Sequence, residues 1–305
     1  MTVEKDMPVK CFVAAMVFCL ATSPALAQAP SGVDGAAQAP RCYDIARVVD
    51  PTVPAALVAE DIATLRAVAE SGSRPAAYLL GTLYRLGPSH PAKRLPQDPE
   101  QADRWLRQAA VAGDLNAMAG LAENALAQGR AREGLVLALA RAHYAMNHPD
   151  PQHRKVLAYG ADLVRRGFEA LGEPRTEALE AEVLADVQAF VSEWGDGIVA
   201  GILASRETKR VSGCPGDIDD ARWPLEIRGV SSVLLRSDRA PDAAPHFAMF
   251  HLVVRPDGRV ARALAVDFSP GPEVIRPLKR SAEGMIFNKL EGAPPRRALL
   301  PLTMQ

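Results

Sequence analysis

Residues 72–113, GSRPAAYLLGTLYRLGPSHPAKRLPQDPEQADRWLRQAAVAG, decide how this chain is read. Gly72, Ala76, Leu80, Gly81, Tyr84 and Gly87, then Ala102, Trp105, Ala109, Ala110 and Gly113, fall at the spacing of two helices joined by a loop. In the second segment Ala102, Trp105, Leu106, Ala109 and Ala110 recur at three- and four-residue intervals. They therefore share one face, and Gln101, Arg104 and Arg107 point outward. Asp98 suits an N-cap, with Pro99 at the first helical position. Gly113 can take the left-handed conformation that ends the helix, and the next helix starts after Asp114. Small residues at Ala76, Gly81 and Ala109 let the two helices approach, while Tyr84 and Trp105 fill the wider gaps. The pattern describes a scaffold rather than a catalyst.

These residues resemble the Sel-like repeat, a relative of the tetratricopeptide repeat, whose pattern has Ala, Leu-Gly and Tyr in its first helix and Ala, Trp and Ala-Ala in its second. A weaker copy starts at Gly113, with Ala117, Leu121, Ala122, Ala125 and Gly129 in one helix and Gly134, Leu137 and Ala142 in the next. Asp61 to Gly72 looks like half a unit. Such units cannot bury their faces alone and need neighbours and atypical caps. From Val53 to Ser205 the chain is rich in Ala, Leu, Glu and Arg, so helices dominate. Those at 152–169 and 174–205 depart from the pattern and are expected to act as a cap. The resemblance implies surfaces for other proteins, in a fold that carries no chemistry of its own.

From about Gly213 the helical runs give way to Pro, Gly and alternating apolar residues. Phe250, Leu252 and Val254 alternate with His251, Val253 and Arg255; Pro256-Asp257-Gly258 makes a turn, and Val260 begins a second run through Leu264 and Val266. This is a β-hairpin. A short helix around Glu273–Glu283 and a last strand around Arg297–Thr303 complete a small two-layer unit. Val253 to Val260, the helix end at Met285-Ile286-Phe287-Asn288, the loop Gly292-Ala293-Pro294 and the final Leu300-Pro301-Leu302-Thr303-Met304 resemble the C-terminal domain of the TonB family. Met285 and Asn288 stand where that family commonly has an aromatic and a Lys, and no Pro-Lys or Pro-Glu spacer is present. What the resemblance implies is a mode of binding, in which an exposed strand edge accepts a partner peptide.

Ahead of the helices, residues 11–27 (CFVAAMVFCLATSPALA) form an uncharged run ending in a small-x-small site at Ala25-Leu26-Ala27. The run is shorter than the ~20 apolar residues of a spanning helix, so it reads as a cleaved secretory signal rather than an anchor. Initiation at Met7 is an alternative to Met1, because Glu4 and Asp6 are unusual in such a region. Cleavage leaves Cys42 and Cys214, which in an oxidising compartment are expected to form one disulfide. A zinc or redox role would need close cysteine pairs that are absent. The chain is 48% apolar and 23% charged with a net charge of -1, which offers no electrostatic reason to expect nucleic acid or an anionic membrane. The Gln, Ala, Pro and Gly stretch after the leader reads as a flexible linker.

Other candidate chemistry has plainer explanations. His143, His148 and His153 are separated by the breaker Asn147-His148-Pro149-Asp150-Pro151 and cannot share a helix face, which disfavours a metal site. His246 and His251 are expected at or near a strand, facing solvent. Asp217-Ile218-Asp219-Asp220 lacks the glycine and distal Glu of a hand-type calcium loop and reads as a solvated linker. No Gly-x-Ser-x-Gly, His-Glu-x-x-His or Gly-x-x-x-x-Gly-Lys motif occurs. Trp105 and Tyr84 read as core, as do Trp194 and Trp223.

The expectation is a multidomain chain, an all-α helical-repeat solenoid followed by a small α+β (ββαβ) domain. Its divisions are a signal at 1–27, a linker at 28–41, helices at 42–209 and the α+β tail at 210–305. The repeat core is Leu80, Gly81, Tyr84, Ala102, Trp105, Ala109, Ala110 and Gly113; the hairpin turn is Pro256, Asp257 and Gly258. The expected function is a periplasmic or secreted, non-catalytic adaptor with protein partners in the cell envelope. It would have no cofactor or metal, no nucleic acid, and no stable membrane span after signal cleavage. One alternative is an envelope enzyme or regulator acting near peptidoglycan, with the loop at 148–153 as its site. The other is a tail that only seals the helices.

Overall fold

A computed structural model describes residues 42–148, 157–207, 227–230, 245–292 and 294–304. The leader, the linker, His153, Cys214, Asp217, Asp219, Asp220 and Trp223 lie outside them. The helical half runs α1 (Ile45–Val49), α2 (Ala59–Glu70), α3 (Arg74–Leu86), α4 (Pro99–Val111), α5 (Leu115–Ala127), α6 (Ala131–Met146), α7 (Leu157–Leu171) and α8 (Glu177–Glu207). Local chemistry sets these boundaries. The Asp98 carboxylate accepts from the N–H groups of Glu100 (3.1 Å) and Gln101 (3.0 Å), and Pro99 starts α4 where no N–H is needed. Asp114 caps α5 in the same way, after Gly113 has ended α4 at a φ of 87°.

From α2 to α7 each helix packs on the next, and small residues let α3 approach α4 and α5 approach α6. A Cβ on Gly81 would lie 2.7 Å from Leu106 Cγ, so α3 closes on α4 only because position 81 has no side chain. Gly134 gives α6 the same approach to Leu126 of α5, again at 2.7 Å. Trp105, Leu80, Leu106, Ala102, Ala109 and Ala110 are all buried in one continuous core. Truncating a residue such as Trp105 there costs about 3 to 5 kcal/mol.

The long α8 lies across α6 and α4. Its Gly201 touches the end of α4 so closely that a Cβ would sit 2.0 Å from the Ala112 carbonyl, and Arg74 Nη1 donates to the Gly201 carbonyl at 3.2 Å. Ile198 and Ile202 enter the main core, while Leu179 and Val183 pack with Leu135 of α6.

The α+β part carries β1 (Ile227–Val230), β2 (His246–Val254), β3 (Val260–Ser269), α9 (Ile275–Glu283), β4 (Met285–Phe287) and β5 (Arg296–Met304). β2 is the centre of an antiparallel sheet of order β3-β2-β5, and β1 pairs with β4. The helix expected to run into Met285–Asn288 stops at Glu283. Met285–Phe287 instead adds to β1, and the Phe287 N–H reaches the Gly258 carbonyl at 2.8 Å. Gly258 turns the hairpin at a φ of 82°, with its missing Cβ 2.2 Å from the Phe287 carbonyl.

The sheet is covered on both faces, and its alternation shows it. Ala248, Phe250, Leu252 and Val254 pack with Leu278 and Ala282 of α9; Phe247, Met249, Leu264 and Val266 belong to the same core as the helices. The described residues accordingly belong to one compact unit. No helix among the described residues is long and apolar enough to cross a membrane.

Candidate functional site

The seam between the helices and β3 holds the densest set of buried ionisable groups, and a register slip places them there. Met249 pairs with Asp267 but Phe250 pairs with Ala265, leaving Val266 as an extra residue in β3. Such a bulge puts two consecutive side chains on one face and re-aims the residues after it. Val266, Asp267 and Ser269 therefore face the helices, while Phe268 turns into the core under α9. In strict alternation Asp267 would be driven into that apolar layer.

Two carboxylates organise the seam. The Asp267 carboxylate receives Tyr78 Oη from α3 at 2.7 Å, its neighbour's N–H at Phe268 at 2.7 Å, and Arg85 Nη2 in an ion pair. The Glu123 carboxylate, in the middle of α5, receives Tyr159 Oη from α7 at 3.0 Å, Arg166 Nη1 at 3.2 Å, and the Ser269 hydroxyl. Tyr159 also stacks on Phe247 with centroids 4.8 Å apart and planes at 10°. The buried Arg141 guanidinium lies 5.6 Å from the Tyr159 ring centroid and donates from Nε to the Leu115 carbonyl at 3.1 Å.

Burial and pairing decide the ionisation here. Burial opposes charge on Glu123, but hydrogen bonds and charge from Arg166, with Arg85 behind it, outweigh burial and hold its carboxyl below the ordinary range. Burial likewise opposes charge on Arg85, and the carboxylates of Asp267 and Glu123 outweigh it. Tyr78 and Tyr159 are pushed well above the usual phenol range, first by burial and then by the carboxylates beside them. Both tyrosines stay protonated donors. Every oxygen of the two carboxylates has a donor from the chain itself, and burial between the layers keeps both away from the surface where a substrate would meet a general base. The cluster joins two layers and is poorly suited to catalysis.

A second junction lies at the start of the helices. Asp50 pairs with Arg262 of β3, and Asp44 pairs with Arg297 of β5 at 3.4 Å. His251, expected toward solvent, is buried between these pairs on the helix-facing side of β2. Burial, with Arg297 and Arg262 adding to it against Asp44, lowers its pKa to about 4. His90, in the loop after α3, is also buried: its Nδ1 accepts from the Ala92 N–H at 3.1 Å, and its ring faces the β3 backbone at Ala265 and Val266. Burial lowers its pKa to about 4 as well. This loop helps close the outer side of β3.

The opposite edge differs. β5 pairs with β2 alone among the described residues. Pro301 has no N–H to give β2, so in this ladder its backbone faces outward, together with that of Leu299 and Thr303. The outer edge thus offers the Leu299 donor ahead of a gap at Pro301.

The remaining candidates are dispersed. His143 is half-buried on α6, edge-on to Tyr144 at 5.3 Å, and His148 is buried at the end of that helix. Trp194 packs against the core from α8. Among the described residues no three His, Cys, Asp or Glu side chains could together hold a metal. Cys42 stands just before α1, and its expected bond to Cys214 falls outside the described residues. Sequence reasoning missed the seam itself, although Glu123 within LNAMAGLAENALA and Asp267 within an apolar strand were legible as isolated charges in apolar runs.

No protein-family model, curated protein or solved structure matches the chain. Architecture therefore gives the class by itself: a domain of packed helices followed by a small three-stranded antiparallel sheet with a helix.

Proposed function

We propose that the chain is an exported, non-catalytic adaptor of the cell envelope, in which the helices hold a TonB-like sheet and β5 accepts an extended segment of a protein partner. The observation that carries this reading is the asymmetry of the sheet. At β3 the His90 ring faces the backbone at Ala265 and Val266 and Arg259 bridges to Ile286 of β4, whereas β5 pairs only with β2 among the described residues. The side of α3, α5 and α7 that would otherwise be open to a partner carries the chain's own sheet, so capture is assigned to the edge. The Sel-like reading of Gly72–Gly113, the leader and the expected Cys42–Cys214 disulfide support export and scaffolding.

The test is affinity capture with crosslinking from the native envelope, comparing the exported chain with Leu299→Pro, which removes a donor from the outward edge. A small repeatable partner set lost in the variant, with melting still cooperative, is the expected outcome. Retention of the same set by the folded variant removes strand addition from consideration.

One observation also favours a tail that is structural to the helices, since Phe247, Met249, Leu264 and Val266 complete the helical core. A chain ending at Ser212 should then lose its helices on heating far below the full chain. For that reason a point change on β5 is a cleaner probe of binding than truncation.

A further inference from the structure

We infer that the outer face of α9 and the loop after α3 form a second docking groove, and that its occupant is an acidic peptide segment in which an apolar residue lies between carboxylates. This goes beyond strand capture at β5 and stands or falls separately from it. The groove is shallow and open, with about 520 Å³ between Ser89 and Pro91 on one side and Ile275, Arg276 and Arg280 on the other, and Glu283 also lines it. Its floor is apolar. Leu278 and Ala282 of α9 are spent on the sheet, which leaves Arg276, Lys279 and Arg280 as one cationic stripe at the three- and four-residue spacing of a helix face.

Lys279 has a partner in Glu283, 3.7 Å away. Arg276 and Arg280, both exposed, have no ion pair among the described residues. Two unpaired guanidinium groups beside an apolar floor match carboxylates that flank an apolar side chain, and guanidinium binds carboxylate in a two-pronged geometry. An anionic lipid surface is the poorer match. Glu273 and Glu283 bracket the stripe at its two ends, and three cations fall short of the roughly four to eight that such surfaces recruit.

The probe is a fluorescein-labelled peptide that the chain itself does not contain, Gly-Asp-Leu-Asp-Ser-Ala, against its Asn-for-Asp counterpart, titrated with the exported full chain by fluorescence anisotropy at low and moderate salt. The acidic peptide should bind roughly tenfold more tightly than the amide form and weaken with salt. Binding should fall about five- to tenfold in the Arg276→Gln/Arg280→Gln double variant, two exposed positions whose replacement leaves the core untouched. In Arg276→Glu/Arg280→Glu the preference should reverse toward a Lys-substituted peptide, which an effect on folding alone cannot produce. Equal binding of acidic and amide peptides, an unchanged double variant, or vesicles of anionic phospholipid outcompeting the peptide would each overturn the assignment.

Discussion

Replacing Asp267 by Asn removes the charge that neutralises Arg85 and leaves the shape of the seam nearly unchanged. Both partners are almost fully enclosed, with side-chain exposures of 10% for Arg85 and 3% for Asp267. Taking one partner from a buried pair typically costs about 3 to 5 kcal/mol, because the other charge is left desolvated and unpaired. Glu123 also acts on Arg85, which pulls the loss toward about 3 kcal/mol. The Asn oxygen must then choose between the Tyr78 hydroxyl and the Phe268 N–H. One unsatisfied donor adds roughly 1 kcal/mol. The sum is about 4 kcal/mol, a large part of the ~5 to 15 kcal/mol that separates folded from unfolded domains.

Urea unfolding followed by far-ultraviolet circular dichroism and by tryptophan fluorescence measures it. Because sheet and helices share one core, both probes should report a single transition, with the midpoint lowered and the slope unchanged. The decisive comparison is the double change Arg85→Met/Asp267→Leu, which removes both charges and keeps apolar volume. It should cost less than the two single changes added together. A loss below about 1 kcal/mol for Asp267→Asn, or strict additivity in the cycle, would refute the view that this pair fastens the two layers.

Other consequences are equally direct. Gly201→Val should detach α8 from the end of α4, since even a Cβ at 201 would lie 2.0 Å from the Ala112 carbonyl; hydrogen exchange should show lost protection in α8 before the rest of the chain. Gly258→Ala combines a φ of 82° with a clash at the Phe287 carbonyl and should destabilise by more than about 1 kcal/mol in denaturant, with loss of the β4 contact. His90 and His251 take up protons near pH 6.5 when unfolded and only near 4 when folded, so the unfolded chain binds more protons between those values and stability falls as pH falls through that window. Together they should lower stability by about 2 to 3 kcal/mol between about pH 7.5 and about pH 5.5, read as a drop in Tm that His251→Gln reduces. Intact mass with thiol labelling should find Cys42 and Cys214 oxidised in the exported protein, and reduction should cost at most about 4 to 5 kcal/mol of stability.

Signals that act locally were the legible ones. Asp98 and Pro99 announced the start of α4 because capping is settled within one turn. The alternation from Phe250 to Val254 announced β2 because a half-buried pleat leaves its period in the chain. β4 was hidden because three residues carry no period, and because Leu278, Ala282 and Met285 continue helical spacing past the helix end. The course of α8 over α4 and α6 was hidden because it depends on which glycines meet, Gly113 against Gly201, across a wide separation in sequence.

The seam at β3 was hidden for a different reason. Its side chains read as ordinary until the extra residue at Val266 rotates Asp267 and Ser269 toward the helices, and a bulge has no reliable signature in a single sequence. Yet the need for it could be reasoned. An Asp in an apolar strand and a Glu in an Ala-rich helix must each find donors, and the Arg and Tyr residues of α3 and α7 are the donors within reach. Those donors come from the helices one after another, α3 for Asp267 and α7 for the Glu123 of α5. Ser269 then ties the strand to the same carboxylate, so the sheet is specified by three helices at once. A sheet held in that way is a fixed platform, and whatever partner it serves must come to edges and faces that the seam leaves uncovered: the outer side of β5 and the cationic side of α9.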